Sequence, residues 1–246
     1  MPLDQFNPPT TALGVRPQLI RNAPMIIVGF RADKDAIARY LPAPLRPHEN
    51  GRILLNMWAL QDANSTTGFG GFEPMSVTYL AAEVDGHDGV SADGTARWPG
   101  RYFLKHWVGS AAARSYALET SGLETDPEPT VVTIDDGRLV AQLEIGGRVC
   151  AKIEAQVGDT VRRVASGHSN YFAERYGADP SSGLAHLVIP WVGDVLDVDV
   201  KKVELDFPAD IVPPELVPQG EVTVETVVYR RLSFVPYLTN SILTSK

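Results

Sequence analysis

Short apolar runs, separated by clusters of turn residues, recur along the whole chain. Residues 25–31 (MIIVGFR), 53–60 (ILLNMWAL), 75–84 (MSVTYLAAEV) and 101–107 (RYFLKHW) are rich in β-branched and aromatic side chains, which predicts strands. Residues 130–134, 139–145, 149–157, 195–207 and 222–234 read the same way. Gly146-Gly147, between two such runs, predicts a two-residue hairpin turn. In 222–228 apolar and polar positions alternate imperfectly, as on a half-exposed sheet. In 53–60, Leu54, Asn56 and Trp58 alternate with Leu55, Met57 and Ala59, so both faces are apolar and either can be buried. An amide such as Asn56 in that setting needs partners.

Helical signals are few. Asp33 can cap a short helix through Leu41 that ends at Pro42. Residues 110–120 (SAAARSYALET) form the best helical stretch, closed by Ser121-Gly122. Residues 168–176 read as a third helix or an irregular connector. Residues 62–71 (DANSTTGFGG) and 86–100 read as long loops. The pattern predicts a mainly β (α+β) fold of antiparallel strands with a few short helices. One domain spans 1–246, with an extended arm over 1–19 and a tail over 236–246.

Composition narrows the function classes. The formal net charge is −8 and no basic run is present, which argues against nucleic acid or an anionic membrane as partner. A single cysteine, Cys150, excludes an internal disulfide framework and any multi-cysteine metal site. Cys150 lies mid-strand and reads as a small buried hydrophobe. No signal-peptide pattern and no apolar run of membrane-spanning length is visible, so a cytoplasmic protein is expected. Gly68-Phe69-Gly70-Gly71 lacks the third glycine of a dinucleotide fingerprint. Gly167-His168-Ser169-Asn170-Tyr171 lacks the second glycine of a nucleophile elbow. Histidines 48, 87, 106, 168 and 186 have no metal-ligand spacing. These generic motifs leave the function open, and no cofactor or metal is expected.

The order of several local patterns resembles the acetoacetate decarboxylase superfamily. Gly29-Phe30-Arg31-Ala32-Asp33 leads from a strand into a short helix that closes at Pro42-Ala43-Pro44-Leu45. The strand LLNMWALQD follows, then the glycine loop and Phe72-Glu73-Pro74-Met75, then RYFLKHW and the helix over 110–120. Asn170-Tyr171-Phe172, a long strand ending Val203-Glu204-Leu205, a proline-rich turn and a last strand complete the series. The resemblance covers roughly residues 20–235. It implies an antiparallel β-cone or closed barrel around a pocket, a homo-oligomer, and a lysine that forms an imine with a keto substrate. Apolar burial and an adjacent cation lower the pKa of such a lysine, an effect for which acetoacetate decarboxylase is itself the standard illustration.

The chain departs from that pattern at the imine-forming position. The matching stretch is Tyr116-Ala117-Leu118-Glu119, which has no lysine. Asn56 stands where the family often has a glutamate. Glu73 matches the family's second pocket glutamate, and Arg31, or Arg21 if the register slips, matches its arginine. The resemblance thus implies a divergent member, a lyase but not a standard acetoacetate decarboxylase. In one reading Glu73 moves a proton beside a carbonyl while Arg31 and Asn56 hold a carboxylate or an enolate oxygen. Dehydration, cyclisation, isomerisation or atypical decarboxylation of a keto acid or polyketide-like compound would follow. In a second, strict alternation puts Lys105 beside Phe103 and Trp107, where its pKa can fall enough for imine chemistry. In a third the scaffold binds a small molecule without chemistry. Tyr79, Tyr102 and Tyr116 are the candidate pocket tyrosines, and His106 is expected to face away from Lys105.

Overall fold

The computed structural model describes residues 19–60, 66–67, 74–174, 184–218, 220–234 and 237–239. The strands are β1 (Leu19–Arg31), β2 (Arg52–Leu60), β3 (Thr66–Thr67), β4 (Met75–Ser91), β5 (Arg97–Val108), β6 (Thr130–Asp135), β7 (Arg138–Ile145), β8 (Arg148–Glu174), β9 (Leu184–Leu205), β10 (Gly220–Glu221), β11 (Thr226–Phe234) and β12 (Tyr237–Thr239). The helices are α1 (Lys34–Tyr40) and α2 (Ala111–Ser121). Both start as expected. Asp33 accepts from the amide of Asp35, and Ser110 accepts from that of Ala113. Gly122 ends α2 in the left-handed conformation.

Pairing runs in a closed circuit. β1 joins β2, β2 joins β4, β4 joins β5, β5 joins β8, β8 joins β9, β9 joins β11, and β11 returns to β1. Every step is antiparallel except β5–β8, which is parallel. Closure leaves few free sheet edges. The expected barrel-like antiparallel fold is thus present, with β6 and β7 as a flanking extension on the first half of β8. The Gly146-Gly147 turn forms with φ of 58° and 82°, values that favour glycine at both positions.

Two expectations need correction. Residues 168–174 continue β8 instead of forming a helix, because each pairs with β9. Residues 86–100 are a hairpin, not a loop: Gly89 pairs with Trp98 and Val90 with Arg97. Asp93 closes its turn, accepting from Ser91 Oγ (2.6 Å), Thr95 N (3.0 Å) and Thr95 Oγ1 (2.8 Å). The assumed C-terminal tail contains β12, paired with β9. The glycine-rich stretch falls largely outside the described residues, and its Thr66–Thr67 pair with Leu19 and Ile20. Of the expected arm over 1–19, residues 1–18 lie outside the described residues, and Leu19 begins β1.

The two apolar faces of β2 serve two cores. Leu55 and Met57 join Ile26, Val28 and Phe30 of β1 against Leu139, Leu143 and Ile153 of the flanking layer. Leu54 and Trp58 join Ile27, Val77, Tyr79 and Tyr171 on the inner face of the ring. This part of the ring wall is therefore buried on both sides, which is why β2 and the first half of β4 read as near-continuous apolar runs.

Ring closure between β9 and β11 needs a glycine. A Cβ at Gly193 would lie 2.3 Å from the Arg231 carbonyl oxygen and 2.6 Å from a Leu232 methyl. Gly193→Ala is expected to destabilise the fold by about 1–3 kcal/mol, the usual range for overpacking. Chemical denaturation that shows no loss would refute this close approach.

Candidate active site

The inner face of the ring is built from alternate residues of its strands. On β5 the alternation is broken. Ala81 pairs with Phe103 and Leu80 with Lys105, so Leu104 is an extra, bulged residue. After the bulge His106 shares the inner face with Phe103. Lys105 and Trp107 turn outward, and Trp107 stacks on Phe207 in the outer core (5.5 Å, 10°).

Four polar side chains from four strands meet inside. Asn56 (β2) donates through Nδ2 to the Tyr79 hydroxyl (β4) at 2.6 Å and to Met25 Sδ at 3.3 Å. The Tyr79 and Tyr171 (β8) hydroxyls share a hydrogen bond of 2.7 Å. Arg101 (β5) donates through Nη1 to the Tyr171 hydroxyl at 2.6 Å. Parallel pairing of Arg101 with Tyr171 sets that last contact. Phe103 lies between the rings of His106 and Tyr171, stacked on each at 4.9 Å. These stacked contacts fix the phenols and the imidazole in place.

A second cation completes the face. The Arg230 guanidinium (β11) lies 4.5 Å from the centre of the Trp191 ring (β9). Trp191 is itself held: its indole N–H donates to Ser169 Oγ at 3.3 Å, and Trp98 donates to the same oxygen at 3.1 Å. No ion pair reaches Arg101 or Arg230 among the described residues. Glu83, opposite Arg101 across β4–β5, is paired with Arg52 at 2.9 Å and accepts from Asn50 at 2.5 Å.

The electrostatics follow from burial. It pushes the Tyr79 hydroxyl well above its ordinary pKa, so the phenol stays protonated. Burial lowers His106 to about 4, which leaves the imidazole neutral at physiological pH. Burial, with the nearby Arg101 and Arg163 charges, lowers Arg230 to about 10, so it is still a cation. Four buried polar atoms here have no partner: Asn56 Oδ1, Arg101 Nε, His106 Nδ1 and Arg230 Nε. A site with two cations, neutral phenols and unpartnered polar atoms suits an anionic, oxygen-rich small molecule. Among the described residues no group of three or more His, Cys, Asp or Glu side chains is arranged to hold a metal ion.

Of the residues singled out from sequence, Asn56 and Tyr79 stand in this network. Arg31 does not: it sits at the exposed end of β1, paired with Glu225 at 2.6 Å. Arg21 is exposed near the start of the same strand. Lys105 turns away because of the bulge, with Nζ 3.9 Å from Asp126. Tyr102 alternates with Arg101 and packs with Leu45, Phe172 and Leu184 in a separate cluster. Tyr116 is half-buried on α2, outside the chain from Asn56 to Arg101. Glu73 lies outside the described residues. Arg101, Tyr171 and Arg230 were not singled out as pocket residues. Their signal is a cation or phenol inside an otherwise apolar strand, which also describes an ordinary surface strand.

The buried imidazole links the site to stability. An unfolded chain takes up a proton on His106 as pH falls through about 6.5, whereas the folded chain resists until about 4. Stability from the neutral form is thus complete above the unfolded value and is lost as pH falls between the two. His106→Gln is expected to flatten the dependence of unfolding free energy on pH in that window by up to about 1.4 kcal/mol per pH unit. An unchanged slope would show that His106 is not buried neutral.

Comparison with known proteins matches the fold and the sequence to one group. Residues 1–188 match the family described as acetoacetate decarboxylase. Among solved structures, one from structural studies of acetoacetate decarboxylase superposes with a TM-score of 0.66 at 15% identity, covering 97% of this chain and 98% of the other. Acetoacetate decarboxylase from Legionella pneumophila gives 0.63 at 13% identity, covering 91% and 86%. The enduracididine biosynthesis enzyme MppR, complexed with pyruvate, gives 0.56 at 14% identity, covering 96% and 92%. No curated protein matches the chain. The family match spans well over half of the 246 residues, and the chain belongs to the acetoacetate decarboxylase family.

Proposed function

We propose that this chain is an enzyme that holds a small keto acid or related carbonyl compound by its carboxylate and carries out lyase-type chemistry on it without a Schiff base. Dehydration, cyclisation, isomerisation and atypical decarboxylation are the reactions in view. The observation that carries the reading is the pair Arg101 and Arg230, two cations on one inner face with no ion-paired carboxylate among the described residues. A partly buried cation without an ion pair is costly, and a substrate carboxylate relieves that cost. Family membership supports an enzyme of a small carbonyl compound. The similar fold of MppR, solved with pyruvate, suggests the size of the ligand.

The lysines support chemistry without an imine. The sequence has six. Lys34 is exposed on α1, and Lys105, Lys152, Lys201 and Lys202 are ion-paired with Asp126, Glu154, Asp199 and Glu204. Lys246 lies outside the described residues. An ammonium held by a carboxylate away from the inner face is not placed to attack a carbonyl inside the ring. In this reading the electron sink is a hydrogen-bonded oxygen, and Glu73 is the proposed base that moves a proton at the adjacent carbon.

Pyruvate and acetoacetate are expected to bind the wild-type protein in calorimetry. Arg101→Gln and Arg230→Gln are each expected to weaken that binding about tenfold or more, the scale of a lost hydrogen bond to a charged group. Borohydride treatment with either acid should leave the intact mass unchanged. A stable mass adduct would overturn the imine-free reading, and arginine variants that bind as well as wild type would overturn the carboxylate site.

A further inference from the structure

The hydrogen bonds among Asn56, Tyr79, Tyr171 and Arg101 do not balance. The guanidinium of Arg101 can only donate, so the Tyr171 oxygen accepts. Asn56 presents its Nδ2 to Tyr79, and the same nitrogen contacts Met25 Sδ. A thioether accepts hydrogen bonds and cannot donate, so the amide nitrogen is the atom on that side. Both ends of the chain are therefore donors. Between them, Tyr79 and Tyr171 share one hydrogen bond and own two protons. Whichever phenol fills the shared bond, the proton of the other has no acceptor within the described protein. Both phenols are nearly fully buried, at 7% and 5% exposure, so water is not a ready acceptor.

The same inner face carries the unpartnered Nε atoms of Arg101 and Arg230. A ligand anchored there by a carboxylate brings its other oxygens toward the phenols, because Arg101 touches Tyr171 directly. We propose that the surplus proton of the Tyr79–Tyr171 pair is the hydrogen-bond donor for the carbonyl oxygen of the bound keto acid, and that this bond tightens as the oxygen takes up negative charge. The proposal rests on the carboxylate site argued above. No proton need leave the phenol. The bond is preorganised by Asn56 and Arg101 at the two ends and by the ring stacking of Phe103. Because either phenol can hold the surplus proton, removal of one leaves the other able to supply it. Only removal of both abolishes the donor.

Oxalate and pyruvate separate the two claims. Oxalate is a planar anion that places negative charge where an enolate oxygen of pyruvate would lie. Wild-type protein is expected to bind oxalate about tenfold or more tightly than pyruvate, since a hydrogen bond to a charged acceptor is the stronger one. Tyr79→Phe and Tyr171→Phe should each keep part of that preference, and Tyr79→Phe/Tyr171→Phe should lose it. Ultraviolet difference spectra of the wild-type protein should show a perturbed tyrosine absorbance on addition of oxalate, which tests the contact even if the double variant does not fold. A folded double variant that keeps the full preference, or a wild-type tyrosine spectrum that oxalate leaves unchanged, would overturn the phenol role alone. Failure of both anions to bind the wild-type protein would overturn the carboxylate site and this proposal with it.

Discussion

Two guanidinium groups inside a closed sheet set the terms for everything around them. Removing an unpaired charge from water costs several kcal/mol, so a cation survives burial only where other dipoles replace the solvent. For Arg101 the replacement is a phenol oxygen at 2.6 Å, itself bonded to a second phenol and then to an amide. For Arg230 it is the face of Trp191. These are neutral partners. They lower the cost of burial without cancelling the charge, so the interior keeps a positive field. The nearby carboxylate of Glu83 is engaged by Arg52 and Asn50, and no carboxylate is ion-paired with either guanidinium among the described residues.

That arrangement depends on one bulged residue. In a regular β5, Phe103, Lys105 and Trp107 would share the inner face, and His106 would pack outward. Leu104 adds a residue between two paired positions, and every side chain after it changes sides. The aromatic His106 and Phe103 thereby come together beside Tyr171, and the ammonium of Lys105 leaves for Asp126. The outer core benefits too, because Trp107 reaches Phe207 only from that side. A single insertion in the ladder therefore decides both that the site is aromatic and that it holds no amine from this strand.

Much of the scaffold was legible in the residues themselves. β-branched runs mark the strands, Ser110 and Gly122 bound α2, and Gly146-Gly147 marks a two-residue hairpin. The long reach of β8 through residues 168–174 was not. Its His, Ser and Asn content lowers local strand propensity, and pairing along β9 overrides that preference. The hairpin over 86–100 is hidden for a related reason: seven of its residues are Gly, Asp or Pro, yet Trp98 and Val90 hold the register. For the site, Asn56 and Tyr79 could be found because a polar group between apolar neighbours must have a partner. Arg101, Tyr171 and Arg230 could not, since their significance lies in which strands the ring brings together. Local pattern points to Arg31 and Lys105 as well, but exposure at the end of β1 and the bulge place them elsewhere.

The absence of an inward lysine among the described residues changes what the site must do with charge. An imine draws electrons through a covalent bond to a protonated nitrogen, and it needs a lysine held neutral by burial. A hydrogen-bonded oxygen has no such sink, so the stabilisation must come from donors already in place before the reaction starts. Neutral phenols suit that role better than a second ammonium would. They are less costly to bury and their protons are fixed in direction. Burial strengthens each bond they make to a developing anion. On the proposed function, the cations would supply affinity for the carboxylate and a field that favours the anionic form, while the phenols would supply the local contact at the carbonyl. In this scheme affinity and catalysis belong to different side chains, and substitutions in the two sets should separate ground-state binding from the response to charge on the carbonyl oxygen.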